Sequence, residues 1–173
     1  MNTCMTQEGL KGVFSTDYGC MAGAPLADLV FTVSMSRILY AFRRTLHNDQ
    51  LESQICINGN NHMLRDVSFV DDTACPVSGN AAEIVAKTAA VAAAAAVSVF
   101  KCFNLDLNFS AVKSEGVLSL TGRGQNLAMR AVVKAGNCTH FPGTNGTVLC
   151  LRFVKNYKHV GTKVTFDSCI GEE

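Results

Sequence analysis

The stretch that decides the fold reads Ser68-Phe69-Val70-Asp71-Asp72-Thr73-Ala74-Cys75-Pro76-Val77. Two adjacent carboxylates, Asp71 and Asp72, stand between two short apolar runs, which is typical of a β-hairpin with acidic residues at its tip. Such a hairpin suits a Mg²⁺-dependent phosphoryl-transfer site, because Mg²⁺ prefers carboxylate oxygens. Asp is also a common turn residue, since its side chain accepts hydrogen bonds from nearby backbone N–H groups. Taken alone, the pair therefore favours a solvated turn over a metal site.

The composition limits the class of protein. The chain has 173 residues, of which 48% are hydrophobic, so it is long enough to bury the core of one domain and is not intrinsically disordered. A formal net charge of +1 provides no overall basic field for nucleic acid, so phosphate contacts have to come from a local patch. Arg43, Arg44 and Lys101 are candidates for such contacts, and solvated helix ends are the simpler interpretation.

The cysteines and the apolar segments indicate an intracellular protein. None of the eight cysteines forms a C-x-x-C pattern, and no histidine pair stands near them at the spacing of zinc ligands. We interpret them as reduced, mostly buried thiols. Residues 1–12 lack the apolar core of a signal peptide, and residues 26–42 and 81–103 fall short of an uninterrupted membrane span. We expect a soluble protein with no membrane contact, in either the nucleus or the cytoplasm.

Apolar periodicity and turn residues predict a mixture of helices and strands. One helix begins at Leu26, after a glycine-punctuated loop, and carries apolar residues on two faces. A second helix runs from a cap at Asn80, with Glu83 as its capping-box partner, to about Phe103. A third helix is predicted at 125–134, and strands at 10–16, 55–57, 116–120, 147–154 and 158–165. This mixture predicts an α+β fold with helices covering one face of a sheet.

Two segments carry the first of four ordered motifs. The segment at about 19–44 contains Gly19, Gly23 and Pro25 in the loop that opens the first helix. The segment at 67–77 contains Phe69-Val70-Asp71-Asp72. These segments resemble motifs B and C of the reverse transcriptase palm, of the non-LTR retroelement and group II intron type. Motif B is a loop and helix that contact the template and the incoming nucleotide, and motif C is the Tyr-x-Asp-Asp signature, here with Phe69 in place of Tyr.

The other two segments complete the resemblance. The region 80–120 contains Lys113 in an Asn-x-x-x-x-Lys-x-Glu stretch that resembles motif D. The region 147–165 resembles motif E, the primer grip, in the residues Tyr157, Lys158 and Gly161. The order of the four segments, rather than any one of them, makes the resemblance specific.

The resemblance implies a fold and an activity. The fold is a single partial domain over 1–173, with a palm-like antiparallel sheet and helices packed on one face. The activity is RNA-directed DNA polymerisation, in which two Mg²⁺ ions assist nucleotidyl transfer to a DNA primer on an RNA template. The implied catalytic residues are Asp71, Asp72 and Lys113, of which the two Asp residues are also Mg²⁺ ligands. The implied nucleotide- or template-binding residues are Gly19, Gly23, Pro25 and Phe69, and the implied substrate is a deoxynucleoside triphosphate.

One departure from the family pattern limits the expected activity. Relatives carry a further catalytic Asp in motif A, well before motif B, whereas only Glu8 and Asp17 precede Gly19 here and neither stands in a matching context. Ala22 also replaces a Gln that is common in relatives. We therefore expect a palm fragment that is inactive alone, and whose Mg²⁺ site is complete only with motif A from an upstream segment of the same polyprotein. The alternative is a non-catalytic nucleic-acid-binding or structural domain derived from a retroelement palm.

Overall fold

The computed structural model describes residues 3–5, 14–16, 27–64, 66–69, 72–159 and 162–165. The chain divides into two compact units, Met1–Arg37 and Ile38–Glu173. The described residues form three α-helices and eleven β-strands, and the strands are arranged in five small sheets. The predicted α+β class is thereby confirmed, whereas the palm-like arrangement and the single-domain boundaries stay predictions.

The first unit contains two short strands, β1 (Thr3–Met5) and β2 (Phe14–Thr16), which pair antiparallel. Helix α1 (Ala27–Asn48) begins in this unit and confirms the first predicted helix. Its buried apolar side chains form one stripe, at Met35, Ile38, Leu39, Phe42 and Leu46. The prediction of two buried faces is wrong. At 3.6 residues per turn, Leu29, Val30 and Val33 point away from that stripe, and they are exposed.

Two β-hairpins follow α1 in the second unit. Strands β3 (Ser53–Ile57) and β4 (Asn60–Leu64) are joined by Asn58-Gly59, whose φ angles of 51° and 80° are those of a tight two-residue turn. Strands β5 (Val67–Phe69) and β6 (Asp72–Ala74) pair antiparallel, with Phe69 opposite Asp72. This pairing confirms the hairpin predicted around the Asp-Asp motif.

Helix α2 (Ala82–Cys102) is the second predicted helix, and its end beside Phe103 agrees with the sequence. Its beginning does not. Ala81, not Asn80, is the N-cap residue, because the extended backbone of the cap (φ −143°, ψ 149°) occurs one residue later than predicted, and no side chain caps the helix. The Asn80 cap is therefore a wrong prediction.

The rest of the second unit contains a three-stranded sheet, a helix and a further hairpin. Strands β7 (Glu115–Val117), β8 (Cys138–Pro142) and β9 (Val148–Val154) pair in the order β7-β9-β8. The β8–β9 pair is antiparallel, whereas the β7–β9 pair is parallel and so differs from an all-antiparallel sheet. Helix α3 (Gln125–Lys134) occupies the predicted residues.

Two features of this region differ from the predicted strands. Strand β8 was not predicted, because its sequence Cys-Thr-His-Phe-Pro lacks a run of β-branched residues. The strand predicted at 158–165 is instead an antiparallel hairpin of β10 (Asn156–His159) and β11 (Thr162–Thr165).

Helix α2 is the common neighbour of the three apolar clusters in the second unit. Ala90 and Val97 pack with Phe141 of β8 and Leu151 of β9. Another face, at Ala92, packs with Phe42 and Leu46 of α1. Its first turn, at Ala82, packs with Leu120 and with Ala128 of α3. The small alanine side chains allow these neighbours to lie close to the helix axis.

The two faces of the three-stranded sheet have different chemistry, because successive strand residues point to opposite faces. Phe141, Leu149, Leu151 and Phe153 belong to the cluster beneath α2. Gly116 of β7 lies against the Phe153 ring, and a Cβ at that position would lie 3.0 Å from the ring carbon Cδ1. The alternate residues of β7, β8 and β9 form the opposite face, which is polar at Glu115, Cys138, His140, Cys150 and Arg152.

Helix α2 also bears on the predicted absence of a membrane span. By length and composition its segment Ile84–Cys102 is apolar enough to cross a membrane, a test that the core helices of soluble proteins also pass. Parts of this helix pack against α1, α3 and the sheet, and 22% of its apolar window is buried within the chain. The intracellular location stays a prediction.

We predict that Ala90→Leu lowers the free energy of unfolding by about 1–3 kcal/mol, because the larger side chain overpacks the contact of α2 with β8 and β9. Chemical denaturation followed by circular dichroism measures the change. The matched control is Ala131→Leu at an exposed position of α3, which we expect to change stability by less than about 0.5 kcal/mol. Equal effects of the two substitutions would contradict the described packing of α2.

Candidate functional site

The predicted site residues fall into three groups. Gly19, Gly23, Pro25, Asp71 and Gly161 lie outside the described residues. Phe69 and Lys158 are described as strand backbone only, in β5 and β10. Side chains are described for the remaining three, Asp72, Lys113 and Tyr157. The geometry of the candidate site is therefore argued from these three residues and their described neighbours.

A hydrogen bond joins the predicted motif D and motif E segments. The Tyr157 hydroxyl of β10 donates to the backbone carbonyl oxygen of Lys113, at 2.8 Å and 44 residues away along the chain. The Lys113 side chain is exposed, so Lys113 contributes its main chain to this contact. Tyr157 itself is half-buried.

The charge of one residue of the predicted motif C acts on Tyr157. The pKa of Tyr157 is raised, chiefly because burial disfavours the phenolate and then because the negative charges of Asp72 and Glu115 do so. Asp72, the exposed first residue of β6, is thus close enough to act on Tyr157. We call Asp72, Lys113 and Tyr157 the 72–113–157 cluster.

An ion pair next to the Asp-Asp hairpin was not predicted. Arg43 of α1 makes a two-pronged contact with Asp66, with Nε–Oδ1 and Nη2–Oδ2 distances of 2.5 and 2.9 Å. The Asp66 side chain is only 1% exposed. The Ser68 hydroxyl of β5 donates to Asp66 at 3.3 Å and lies 3.1 Å from the Thr73 hydroxyl of β6. The pair therefore ties α1 to the beginning of the hairpin.

The protonation of Asp66 depends on Arg43. Burial taken alone raises the pKa of Asp66, but the hydrogen bonds and the positive charge of Arg43 together outweigh it and leave the pKa below its ordinary value of 3.8. Asp66 is thus ionised at neutral pH. The sequence contains no local pattern for this pair, because its members are 23 residues apart.

Two of the three basic residues considered for phosphate contacts have acidic partners. Arg43 is held by Asp66, and Lys101 lies 2.8 Å from Asp106. The positive charge of these two residues is therefore largely neutralised within the chain. This favours the simpler interpretation of solvated helix ends.

The described part of the chain does not by itself build a Mg²⁺ site. Asp72 offers one exposed carboxylate, and its predicted partner Asp71 lies outside the described residues. Among the described residues, three metal-ligating groups cluster at Cys138, His140 and Cys150, whose thiols and imidazole are not Mg²⁺ ligands. The predicted Mg²⁺ site thus depends on residues beyond the 72–113–157 cluster.

The cysteines differ from the sequence interpretation. Among the five described, Cys56 and Cys102 are exposed, and Cys75, Cys138 and Cys150 are half-buried, so the prediction that they are mostly buried is wrong for this group. Sequence analysis also missed the approach of Cys138 and Cys150 to His140, because it considered C-x-x-C patterns and histidine pairs. The informative pattern is Cys138-x-His140, which places both side chains on one face of a strand.

Comparison of the chain with protein-family models, with curated proteins and with solved structures found no match. A functional proposal therefore depends on the sequence motifs and on the geometry of the described residues.

We predict that Arg43→Ala lowers the free energy of unfolding by about 1–3 kcal/mol near neutral pH, because Asp66 is left as a buried carboxylate without its cation. The matched control is Arg44→Ala, at the adjacent exposed position. The pKa of Asp66 is lowered by folding, so the stabilisation is present above pH 3.8 and is lost as the pH falls through the folded-state pKa. Denaturation at several pH values should show the two variants converging in acid, and equal losses at neutral pH would contradict the ion pair.

We further predict that Asp72→Asn lowers the pKa of Tyr157, because it removes one of the negative charges that oppose the phenolate. The chain has three tyrosines, so a Tyr18→Phe, Tyr40→Phe background leaves Tyr157 as the only one, and its ultraviolet absorbance reports its ionisation. Asp49→Asn, at an exposed position, is the control. An unchanged pKa in Asp72→Asn would contradict the proximity of the two residues.

Proposed function

We propose that this chain is the palm portion of an RNA-directed DNA polymerase, which extends a DNA primer only when a further segment supplies the motif A carboxylate. Four ordered sequence segments carry the resemblance. The observation that supports it best is the hydrogen bond from the Tyr157 hydroxyl to the main-chain oxygen of Lys113. These two residues belong to the segments that resemble motifs E and D, and they are 44 residues apart in the sequence. The charge of Asp72, in the segment that resembles motif C, also acts on Tyr157.

The hairpin β5–β6 supports the same proposal. Its strands pair Phe69 with Asp72, so only Val70 and Asp71 stand between the paired positions in the sequence. A short antiparallel hairpin with an acidic connection is what the motif C resemblance requires. The ion pair of Arg43 with Asp66 ties the beginning of this hairpin to α1, and a fixed backbone helps to hold carboxylates in the geometry that a metal ion requires.

In this proposal the substrates are an RNA template, a DNA primer and a deoxynucleoside triphosphate. Asp71 and Asp72 would hold Mg²⁺ together with the motif A carboxylate, and the ion would supply charge neutralisation during phosphoryl transfer. Lys113 is a candidate proton donor to the leaving pyrophosphate, and its exposed side chain is free to reorient. The proposed nucleotide- or template-binding residues are Gly19, Gly23, Pro25 and Phe69, and the proposed primer-grip residues are Tyr157, Lys158 and Gly161.

A second candidate is a non-catalytic nucleic-acid-binding or structural domain derived from such a palm. It is favoured by the absence of a motif A-like segment from the sequence, in which Glu8 and Asp17 are the only acids before Gly19. The two candidates differ in what accompanies this segment in its gene. A polymerase requires a motif A Asp and fingers upstream, and a binding domain does not.

We predict that the 173-residue chain alone does not extend a primer on an RNA template with Mg²⁺ or Mn²⁺. Produced together with the coding sequence directly upstream, it should extend the primer, and Asp71→Ala should reduce that extension by on the order of 1000-fold, because metal ions supply several kcal/mol of transition-state stabilisation. Asp49→Ala is the control, since Asp49 is an exposed carboxylate outside the four segments.

Two outcomes would count against this proposal. Extension by the 173-residue chain alone, abolished in Asp71→Ala, would remove the need for a motif A partner. An upstream-extended protein that lacks extension but binds a fluorescent primer–template, with binding weakened in Tyr157→Ala and unchanged in Leu127→Ala, at an exposed position outside the four segments, would favour the non-catalytic domain.

A further inference from the structure

Three soft metal ligands converge on one face of the three-stranded sheet. Cys138 and His140 are alternate residues of β8, and Cys150 of β9 is the direct cross-strand partner of His140. One ligand atom from each side chain lies within 4.8 Å of the other two. The core cluster beneath α2 lies on the opposite face of these strands, so the three side chains are not required to fill that core.

This donor set has the chemistry of a zinc site. Zinc binds thiolate sulfur at about 2.3 Å and imidazole nitrogen at about 2.0–2.1 Å in tetrahedral geometry, which separates neighbouring ligand atoms by about 3.5–3.8 Å. The three ligand atoms lie within 4.8 Å of one another, so their separations exceed these values by at most about 1.3 Å. Rotation of the side chains can close that difference, because His140 is exposed and both cysteines are only half-buried.

We propose that Cys138, His140 and Cys150 bind one Zn²⁺ ion, with water or an external ligand in the fourth coordination position. Two thiolates neutralise the charge of the ion, and a site with three protein ligands has the open position found in catalytic and exchangeable zinc sites. Sulfur and imidazole select zinc over magnesium. This proposal does not depend on the polymerase proposal, because none of the three ligands is one of the candidate polymerase site residues, although Cys150 lies within region 147–165.

Neighbouring groups act on the Cys150 thiol in opposite directions, and their net effect favours the protonated thiol, which a bound metal ion has to deprotonate. Arg152 is the cross-strand partner of Cys138 and lies on the same face of the sheet. The Arg152 Nε atom lies 3.7 Å from Glu115 Oε1, and its Nη2 donates to the carbonyl oxygen of Phe109 at 3.5 Å. Burial and the neighbouring Cys138 raise the pKa of Cys150, and the charge of Arg152 opposes that rise. Without metal, the Cys138 thiol donates to the carbonyl oxygen of Ala135 at 3.2 Å, so metal binding has to displace that proton.

A disulfide is the main alternative for this pair of cysteines, and the register disfavours it. Cys138 pairs with Arg152 and Cys150 pairs with His140, so the two cysteines are diagonal neighbours. Diagonal positions in antiparallel strands have Cα atoms about 7–8 Å apart, whereas an unstrained disulfide needs less than about 7 Å. A metal ion bridges the wider gap, because it adds two metal–sulfur bonds between the sulfur atoms.

The first test uses the unmodified chain and its own cysteines as controls. The reduced, metal-free protein is alkylated with and without one equivalent of Zn²⁺, and the label on each cysteine is measured by mass spectrometry. Zinc should slow labelling of Cys138 and Cys150 by more than about tenfold and leave the exposed Cys56 and Cys102 unchanged. Cys75, whose pKa is raised to about 11 by burial and by Asp66, should react slowly in both samples.

The second test measures affinity in variants. Competition with a chromophoric chelator should give one zinc per chain, with the affinity lowered at least about 100-fold in Cys138→Ser, Cys150→Ser and His140→Ala and unchanged in Cys56→Ser. Losing a residue that only hydrogen-bonds to a metal ligand already lowers affinity by about 10–100-fold, so losing a ligand should lower it by no less. Co²⁺ bound in the unmodified chain should show the charge-transfer and visible absorption of a tetrahedral thiolate site.

Three results would overturn the proposal. They are zinc binding that is equal in all four variants, no protection of Cys138 and Cys150 in the fully reduced chain, and a Cys138–Cys150 disulfide in protein purified without reductant. If a ligand variant does not fold by circular dichroism, the protection experiment on the unmodified chain decides alone.

Discussion

The close packing of α2 is the constraint on which the second unit depends. This helix contacts the sheet, α1 and α3 through different faces, and most of the residues that it uses are alanines. Alanine loses no side-chain entropy on burial and has the highest helix propensity, so the helix forms readily while leaving room for larger partners. The large side chains of the core therefore come from its neighbours, such as Phe42, Phe141 and Leu151. A larger side chain at a buried alanine of α2 would overlap these neighbours.

The polar contacts fix the positions of particular segments, whereas the apolar core holds the elements together. The Arg43–Asp66 pair fixes the beginning of the Asp-Asp hairpin, and the Tyr157 hydroxyl fixes the segment around Lys113. Each contact joins segments that are far apart in the sequence, by 23 and by 44 residues. Because removing one partner leaves the other unsatisfied, such contacts specify an arrangement more strongly than their net stabilisation suggests.

The sequence was most informative where one local cause dominates. Propensity and periodicity were sufficient for α1, α2 and α3, and the β3–β4 turn forms at Asn58-Gly59, two residue types that readily adopt the left-handed conformations seen there. Prediction failed where distant segments decide the outcome. Strand β8 has weak intrinsic preference and exists because β9 and the core beneath α2 accept Phe141. The predicted N-cap of α2 was one residue too early. Asn80 has the better capping side chain, but Ala81 has the extended backbone of the cap position.

The same distinction separates the two candidate sites. The Asp-Asp hairpin can be predicted from the sequence because its residues are contiguous. The action of the Asp72 charge on the pKa of Tyr157 cannot, because the fold decides it. The cysteine and histidine cluster is the reverse case, because the register of β8 with β9 creates it and no contiguous motif contains all three ligands. Strand pairing that buries Phe141 and Leu151 under α2 necessarily turns His140 and Cys150 to the other face. The apolar contact that builds the core thereby also brings the soft ligands together, so a hard carboxylate site and a soft thiolate site can coexist in one chain without competing for the same metal ion.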